Sequence, residues 1–235
     1  MFGWREVSRC LDSGIAVEEI FVRDIDNFSD AERLDRLAKA VNAEVIDVVE
    51  SVFSSLTYGN RDDAVIAIAR RPERKLEGLD LPANCFCLVV ESIEKPGNLG
   101  AIFRSCDGAG VDAVIIANPL TDLFHPNSVR SSMGTVFSVP SAIAEAETVK
   151  AWLESKDMQI LATMPESVQN YFDWDFDSPT AIVLGNEATG LSDVWRGVES
   201  IGLPMLGIAD SLNVSVTASI LAYENRRQRS KPKKG

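Results

Sequence analysis

The sequence predicts an α/β protein: a small α/β unit over residues 1–78, followed by a larger domain, residues 79–235, built on a mostly parallel sheet. Three observations carry this. Helix-like and strand-like segments alternate along the whole chain. From Cys85 onward the strand candidates are continuous Val/Ile/Leu runs, as expected of strands covered on both faces. Between the two regions, RRPERKLEGLDLPAN combines two prolines, a glycine and many charges and reads as a linker, with the boundary near residue 79.

In the first region, REVSRCLDSG reads as a short helix ended by Gly14, and VEEIFV as a strand. SDAERLDRLAKAVNA has Ser29 as a candidate N-cap with Glu32 three residues later, and Leu34, Leu37, Ala38 and Val41 at helical spacing. EVIDVV is a strand, SVFSSLTYGN a helix or turn, and DDAVIAIA a strand. In the second region the strands are CFCLVV, DAVIIAN, MQILATM, TAIVLG and SIGLPM. The helices between them are LGAIFRSCDGAG, PNSVRSSMGTVF, EAETVKAWLESK, LSDVWRGV and VSVTASILAYENRRQR.

At 46% hydrophobic and 25% charged residues, the chain has ample apolar content for a buried core. No apolar run reaches the roughly 18–20 residues that span a bilayer. MFGWREVSRC has no apolar segment of a secretory signal, so a cytoplasmic location is expected. Four cysteines without a CxxC, and a single histidine, speak against a zinc site or disulfide scaffold and for buried thiols. The net charge of −12 disfavours nucleic acid as a partner, but its distribution is uneven. Residues 226–235 hold Arg226, Arg227, Arg229, Lys231, Lys233 and Lys234 with no acid, and Arg70, Arg71, Arg74 and Lys75 form a second basic cluster. Either could hold phosphates, or be a solvated tail and a charged linker.

In sheets of this kind ligands bind beyond the C-terminal strand ends, and three loops there stand out. ESIEKPGNLGAIFRSCDGAG contains neither GxGxxG nor GxxxxGK(S/T), which excludes the common dinucleotide and P-loop patterns. Its helix has an apolar stripe, Leu99, Ile102, Phe103 and Cys106. Arg104 points away from that stripe, among the small residues Gly100, Ala101 and Gly108, where a ligand or second chain could approach, unless it is simply solvated. Asn98 is a natural N-cap for a helix starting at Leu99. In TAIVLGNEATGLSDVW, Gly185 and Gly190 bracket Asn186 and Glu187, and Glu187 is either a polar group of a site or a carboxylate that pins the loop. In IGLPMLGIADSLNVSVTASI, Ser211, Ser215 and Ser219 recur every four residues as a low ridge on which a helix could pack.

The phrases PGNLGAIFRSCDGAG, IVLGNEATGLS and LPMLGIADSLNVSVTASI resemble, in order and spacing, the three motifs of the SpoU/TrmH branch of the SPOUT RNA 2′-O-ribose methyltransferases. HPNSVRSSMGTVFSVP resembles the family's connecting segment, so the likeness covers residues 85–228. It implies a C-terminal α/β trefoil-knot domain, a homodimer formed through it, S-adenosylmethionine bound at the knot, and RNA, ribosomal before transfer, as substrate. Asn98, Arg104 and Glu187 are then expected in the catalytic centre. Leu184, Gly185, Asn186, Ile201, Met205, Ser211, Leu212 and Asn213 are expected to hold the cofactor, with no metal. His125 matches no motif position. The family's proposed base is the arginine matched by Arg104, but a guanidinium pKa above about 12 favours a positioning and charge-stabilising role; the proton acceptor stays open. The first domain resembles more weakly the small substrate-binding domain that precedes the knot in family members, through GIAVEEIFV, SSLTYGNRDDAVIAIA and RRPE. MFGWREVSRC begins in the middle of the family's usual opening phrase, so a preceding helix and strand are expected to be missing upstream. The rival reading is a catalytically silent RNA-binding or ribosome-assembly protein on the same fold, which the presence of all the motif residues disfavours.

Overall fold

The computed structural model describes residues 1–57 and 63–230. The end of SVFSSLTYGN, the first residue of DDAVIAIA and the KPKKG tail lie outside them. The small unit runs α1 (Trp4–Asp12), β1 (Val17–Arg23), α2 (Ala31–Val41), β2 (Glu44–Val48), α3 (Glu50–Leu56) and β3 (Val65–Ala69). Its sheet has the order β2-β1-β3, with β1 parallel to β2 and antiparallel to β3. Residues 1–3 lie along the outer edge of β3: Gly3 N–H donates to the Val65 carbonyl and Ala67 N–H to that of Met1. Ser29 does not cap α2. The cap position falls on Asp30, whose carboxylate accepts the Ser29 hydroxyl at 3.1 Å, so that hydroxyl is turned away from the helix amides.

The larger unit runs β4 (Phe86–Glu91), α4 (Pro96–Ala109), β5 (Ala113–Ala117), α5 (Pro126–Ser131), α6 (Thr135–Ser138), β6 (Ser141–Ala144), α7 (Ala146–Ser155), β7 (Gln159–Thr163), β8 (Thr180–Leu184), β9 (Glu199–Ile201) and α8 (Val214–Arg229). The six strands are all parallel, in the order β6-β5-β4-β8-β7-β9. Both faces are covered, as the uninterrupted apolar runs require. Phe86, Leu88 and Val90 face α4, α8 and the small unit, while Cys85, Cys87 and Val89 face α7 and Trp195. All four cysteines are buried and free. Burial pushes the Cys10 thiol up to about 12.

Four expectations are corrected. β6, Ser141–Ala144, carried no sequence signal, being a four-residue edge strand with three small residues and a single isoleucine. PNSVRSSMGTVF is two helices, broken by Met133 and Gly134 at φ 55° and 85°. LSDVWRGV forms a single 3₁₀ turn, Asp193–Trp195. The segment read as a linker is packed: Leu76 is buried, the Arg74 carbonyl accepts from Ile143 N–H on β6 at 2.8 Å, and the Arg74 guanidinium donates to the Val136 and Phe137 carbonyls. Among the described residues, no helix is long and apolar enough to cross a membrane.

Candidate active site

Four neighbouring strands, β4, β8, β7 and β9, end on the same side of the sheet, and the loops that leave them build one site. The loop after β8 is held closed by its own glycines. A Cβ on Gly185 would lie 2.4 Å from the Gly190 backbone, so only glycine permits that close pass, and Gly190 itself has φ +71°. Asn186 fastens the loop. Its Oδ1 accepts Ala188 N–H at 2.7 Å, and its Nδ2 donates to the Ser92 carbonyl beyond β4 at 2.8 Å. The buried Glu91 at the end of β4 accepts from both the amide and the hydroxyl of Ser192, at 2.9 and 2.6 Å.

Helix α4 begins at Pro96, not Leu99. Proline lacks an N–H and has a fixed φ, which suits the first helical position, and Lys95 takes the cap. Asn98 is therefore not the cap but a first-turn residue with its amide free. It donates to Glu187 Oε1 at 2.9 Å. Asn213, the N-cap of α8, accepts Ser215 N–H at 3.0 Å and donates to the same Glu187 oxygen at 2.6 Å. Val214 N–H adds a contact at 3.3 Å, and Lys95 Nζ donates to Glu187 Oε2 at 3.2 Å. Glu187 thus joins all three motif segments. Burial, the largest single influence, raises its pKa, but the bonds from Lys95, Val214 and Asn98 outweigh it and hold the carboxyl below its ordinary 4.5. Both readings of Glu187 meet here: it pins the loop, and it sits on the wall of a cavity.

That cavity, about 370 Å³, opens beside the Glu187 cluster. Leu184, Gly185, Asn186, Ile201, Met205, Ser211 and Leu212 all line it; Asn213 does not, and stands behind Glu187 instead. Ser211 belongs to the cavity rather than to the serine ridge, since α8 starts at Val214. The ridge itself is present, with Ser219 Oγ 2.7 Å from Ser105 Oγ where α8 packs on α4. The sequence reading missed Thr163, Met164 and Pro165, which reach the cavity from the end of β7. Only the sheet order, which sets β7 beside β8, would have identified them. The size lies in the range for a small organic ligand, and apolar walls (Leu184, Ile201, Leu203, Val214) beside polar loop backbone suit an adenosyl group. A second cavity, about 200 Å³, adjoins at Lys95, Asn98 and Glu187.

Arg104 lines neither cavity. It is exposed on α4, with no hydrogen-bonding partner among the described residues. Two of the small residues around it, Gly100 and Gly108, are packed against neighbouring elements. A Cβ on Gly100 would meet Ser131 Oγ at 2.0 Å and the Ser128 carbonyl at 2.3 Å, and Gly108 faces the Tyr223 hydroxyl. His125 is a cap, its Nδ1 accepting Asn127 N–H at 3.1 Å. The basic cluster is largely consumed within the chain: Arg70 pairs with Glu18, Arg71 with Asp122 and Lys75 with Glu73. Arg229 is likewise no solvated tail residue, donating to the carbonyls of Phe176, Asn84, Cys85 and Ser178.

Residues 85–223 match the sequence pattern of the SpoU rRNA Methylase family. The chain is 30% identical to the 23S rRNA (uridine(2479)-2′-O)-methyltransferase of Streptomyces viridochromogenes, over 97% of this chain and 82% of that protein. It is 28% identical to the 23S rRNA (guanosine(2553)-2′-O)-methyltransferase RlmP of Bacillus subtilis, over 94% and 85%. Among solved structures, it is similar to the SpoU methyltransferase AviRb from Streptomyces viridochromogenes in complex with the cofactor AdoMet, with a TM-score of 0.87, 29% identity, and coverage of 97% and 89%. An AdoMet-bound rRNA methyltransferase from Sinorhizobium meliloti also gives 0.87, at 28% identity and coverage of 97% and 86%.

Proposed function

Since the chain belongs to the SpoU rRNA Methylase family, whose trefoil-knot α/β fold it shares, we propose that it methylates a ribose 2′-hydroxyl of ribosomal RNA, with S-adenosylmethionine as donor. The observation that carries this is the junction of a ligand-sized cavity with the Asn98–Glu187–Asn213 cluster at the ends of β4, β8 and β9. When bound, S-adenosylmethionine supplies a methyl carbon made electrophilic by its sulfonium. The residues of the chain then have to orient and to stabilise charge. Leu184, Ile201 and Leu212 pack the adenosyl group. Glu187 locks the three loops so that the cavity keeps its shape. Asn98 and Arg104 position the ribose, and the Arg104 guanidinium stabilises the alkoxide that develops as the 2′-oxygen loses its proton.

Arg104 needs a substrate brought to it, and a homodimer through the methyltransferase domain would do so. The exposed Arg104, Val216 and Tyr223 on α4 and α8, and the fully exposed Leu206 and Ile208 in the loop before α8, offer a face for a second copy. In this reading residues 1–78 contact the RNA, residues 79–235 carry the chemistry, and the protein works in the cytoplasm where ribosomes are assembled.

The test is incubation of purified protein with ribosomal RNA and S-adenosylmethionine carrying a labelled methyl group, followed by mapping of alkali-resistant linkages. One labelled ribose is expected. Arg104→Ala should lower turnover at least about 100-fold while leaving donor affinity nearly unchanged. Donor binding without methylation of any ribosomal or transfer RNA would favour the silent RNA-binding reading, and near-normal turnover by Arg104→Ala would remove that residue from the catalytic centre.

A further inference from the structure

Among the residues that line the larger cavity, two bear charge, Glu187 and Asp210, and both are acids. Glu187 is already compensated by Lys95 at 3.2 Å and by its amide donors. Asp210 has no hydrogen bond or ion pair among the described residues and lies exposed on the loop between β9 and α8, next to Ser211. It is the uncompensated charge on the cavity wall.

The donor and the spent product present nearly the same shape to that wall. Both have the adenosine and the amino-acid tail. They differ by one methyl group and by the sulfonium charge, so S-adenosylmethionine has one net positive charge and S-adenosylhomocysteine has none. Apolar walls see the two almost alike, and a carboxylate does not. We propose that Asp210 is a specificity-determining residue: its carboxylate biases the cavity towards the cationic methyl donor and against the neutral product, which favours exchange after each turnover. This rests on the reading of the cavity as the donor site. An acid ahead of α8 could instead merely favour the positive end of that helix. That role would act on stability and on both ligands equally.

Calorimetric titration of the full chain separates these cases, with no RNA present. Wild type, Asp210→Asn and Asp210→Ala are each titrated with S-adenosylmethionine and with S-adenosylhomocysteine, at low and high salt. Both variants should bind the donor about three- to tenfold more weakly, the range for one exposed charge acting across a few ångströms of wet surface. Product affinity should stay within about twofold, and the wild-type preference should shrink as salt rises. Equal weakening of both ligands, or no change in either, overturns the proposal while leaving the donor-site reading in place. Failure of folded wild type to bind the donor at all overturns both.

Discussion

Lys95, Asn98, Asn213 and the Val214 amide all donate to one carboxylate, and removing its charge leaves each with a poorer acceptor. Because the Glu187 pKa is lowered in the folded protein, its contribution to stability is full above the unfolded value near 4.5 and is lost as the pH falls through the lower folded value. Unfolding titrations of wild type and Glu187→Gln should therefore differ by a constant amount between about pH 6 and 8, and converge below about pH 4.5. A gap that persists unchanged in acid would mean that shape, not charge, is what Glu187 supplies. At this scale the sequence was informative where chemistry is carried by motif residues. Glycines, Asn186, Glu187 and Asn213 stand at positions where bulk or a missing acceptor would break the loop. It was uninformative where a residue contributes only by being adjacent in space, as Met164 and Pro165 do, or Glu91 with its two bonds to Ser192.

Among the elements, α4 carries the sharpest packing demand. Gly100 lies against the α5 backbone, while Gly97, in the same helix, has nothing within 4 Å of the position its Cβ would take. Gly100→Ala should cost about 1–3 kcal/mol through overpacking. Gly97→Ala should stay within about 0.5 kcal/mol of wild type. Denaturant unfolding of the pair checks this, and equal stability would show that α5 yields without strain. The sequence placed the strong strands and α8 well, because continuous apolar runs and helical spacing are local properties. α4 starts three residues before the helix that an Asn98 cap implies, because the fixed φ and missing N–H of Pro96 suit the first helical turn. β6 was invisible, since Ser141–Ala144 becomes a strand only through its pairing with β5.

For the molecule as a whole, a net charge of −12 means that attraction to RNA has to come from local patches. Most of the Arg70–Lys75 cluster is spent on internal pairs, and Arg229 is spent on backbone carbonyls. The lysines at 231, 233 and 234 remain as candidates. Deleting residues 231–235 should weaken RNA binding modestly and reduce its salt slope by up to about three. An unchanged slope, measured by filter binding across a salt series, would make the tail a bystander.

The strand order has a consequence for when the protein can work. The wall and floor of the cavity come from β7, β8, β9 and the start of α8, and the Asn213 that completes the Glu187 cluster is supplied by the final helix. α8 then returns to the middle of the sheet, where Ser219 meets Ser105 and Arg229 reaches Asn84, more than a hundred residues upstream. During synthesis the early strands emerge with no partner for much of their apolar surface, and the pocket stays incomplete until α8 has emerged and docked. A chain that stops short of α8 therefore lacks both that part of the cavity wall and the Asn213 donor to Glu187, and the site is whole only once segments far apart in the sequence have met.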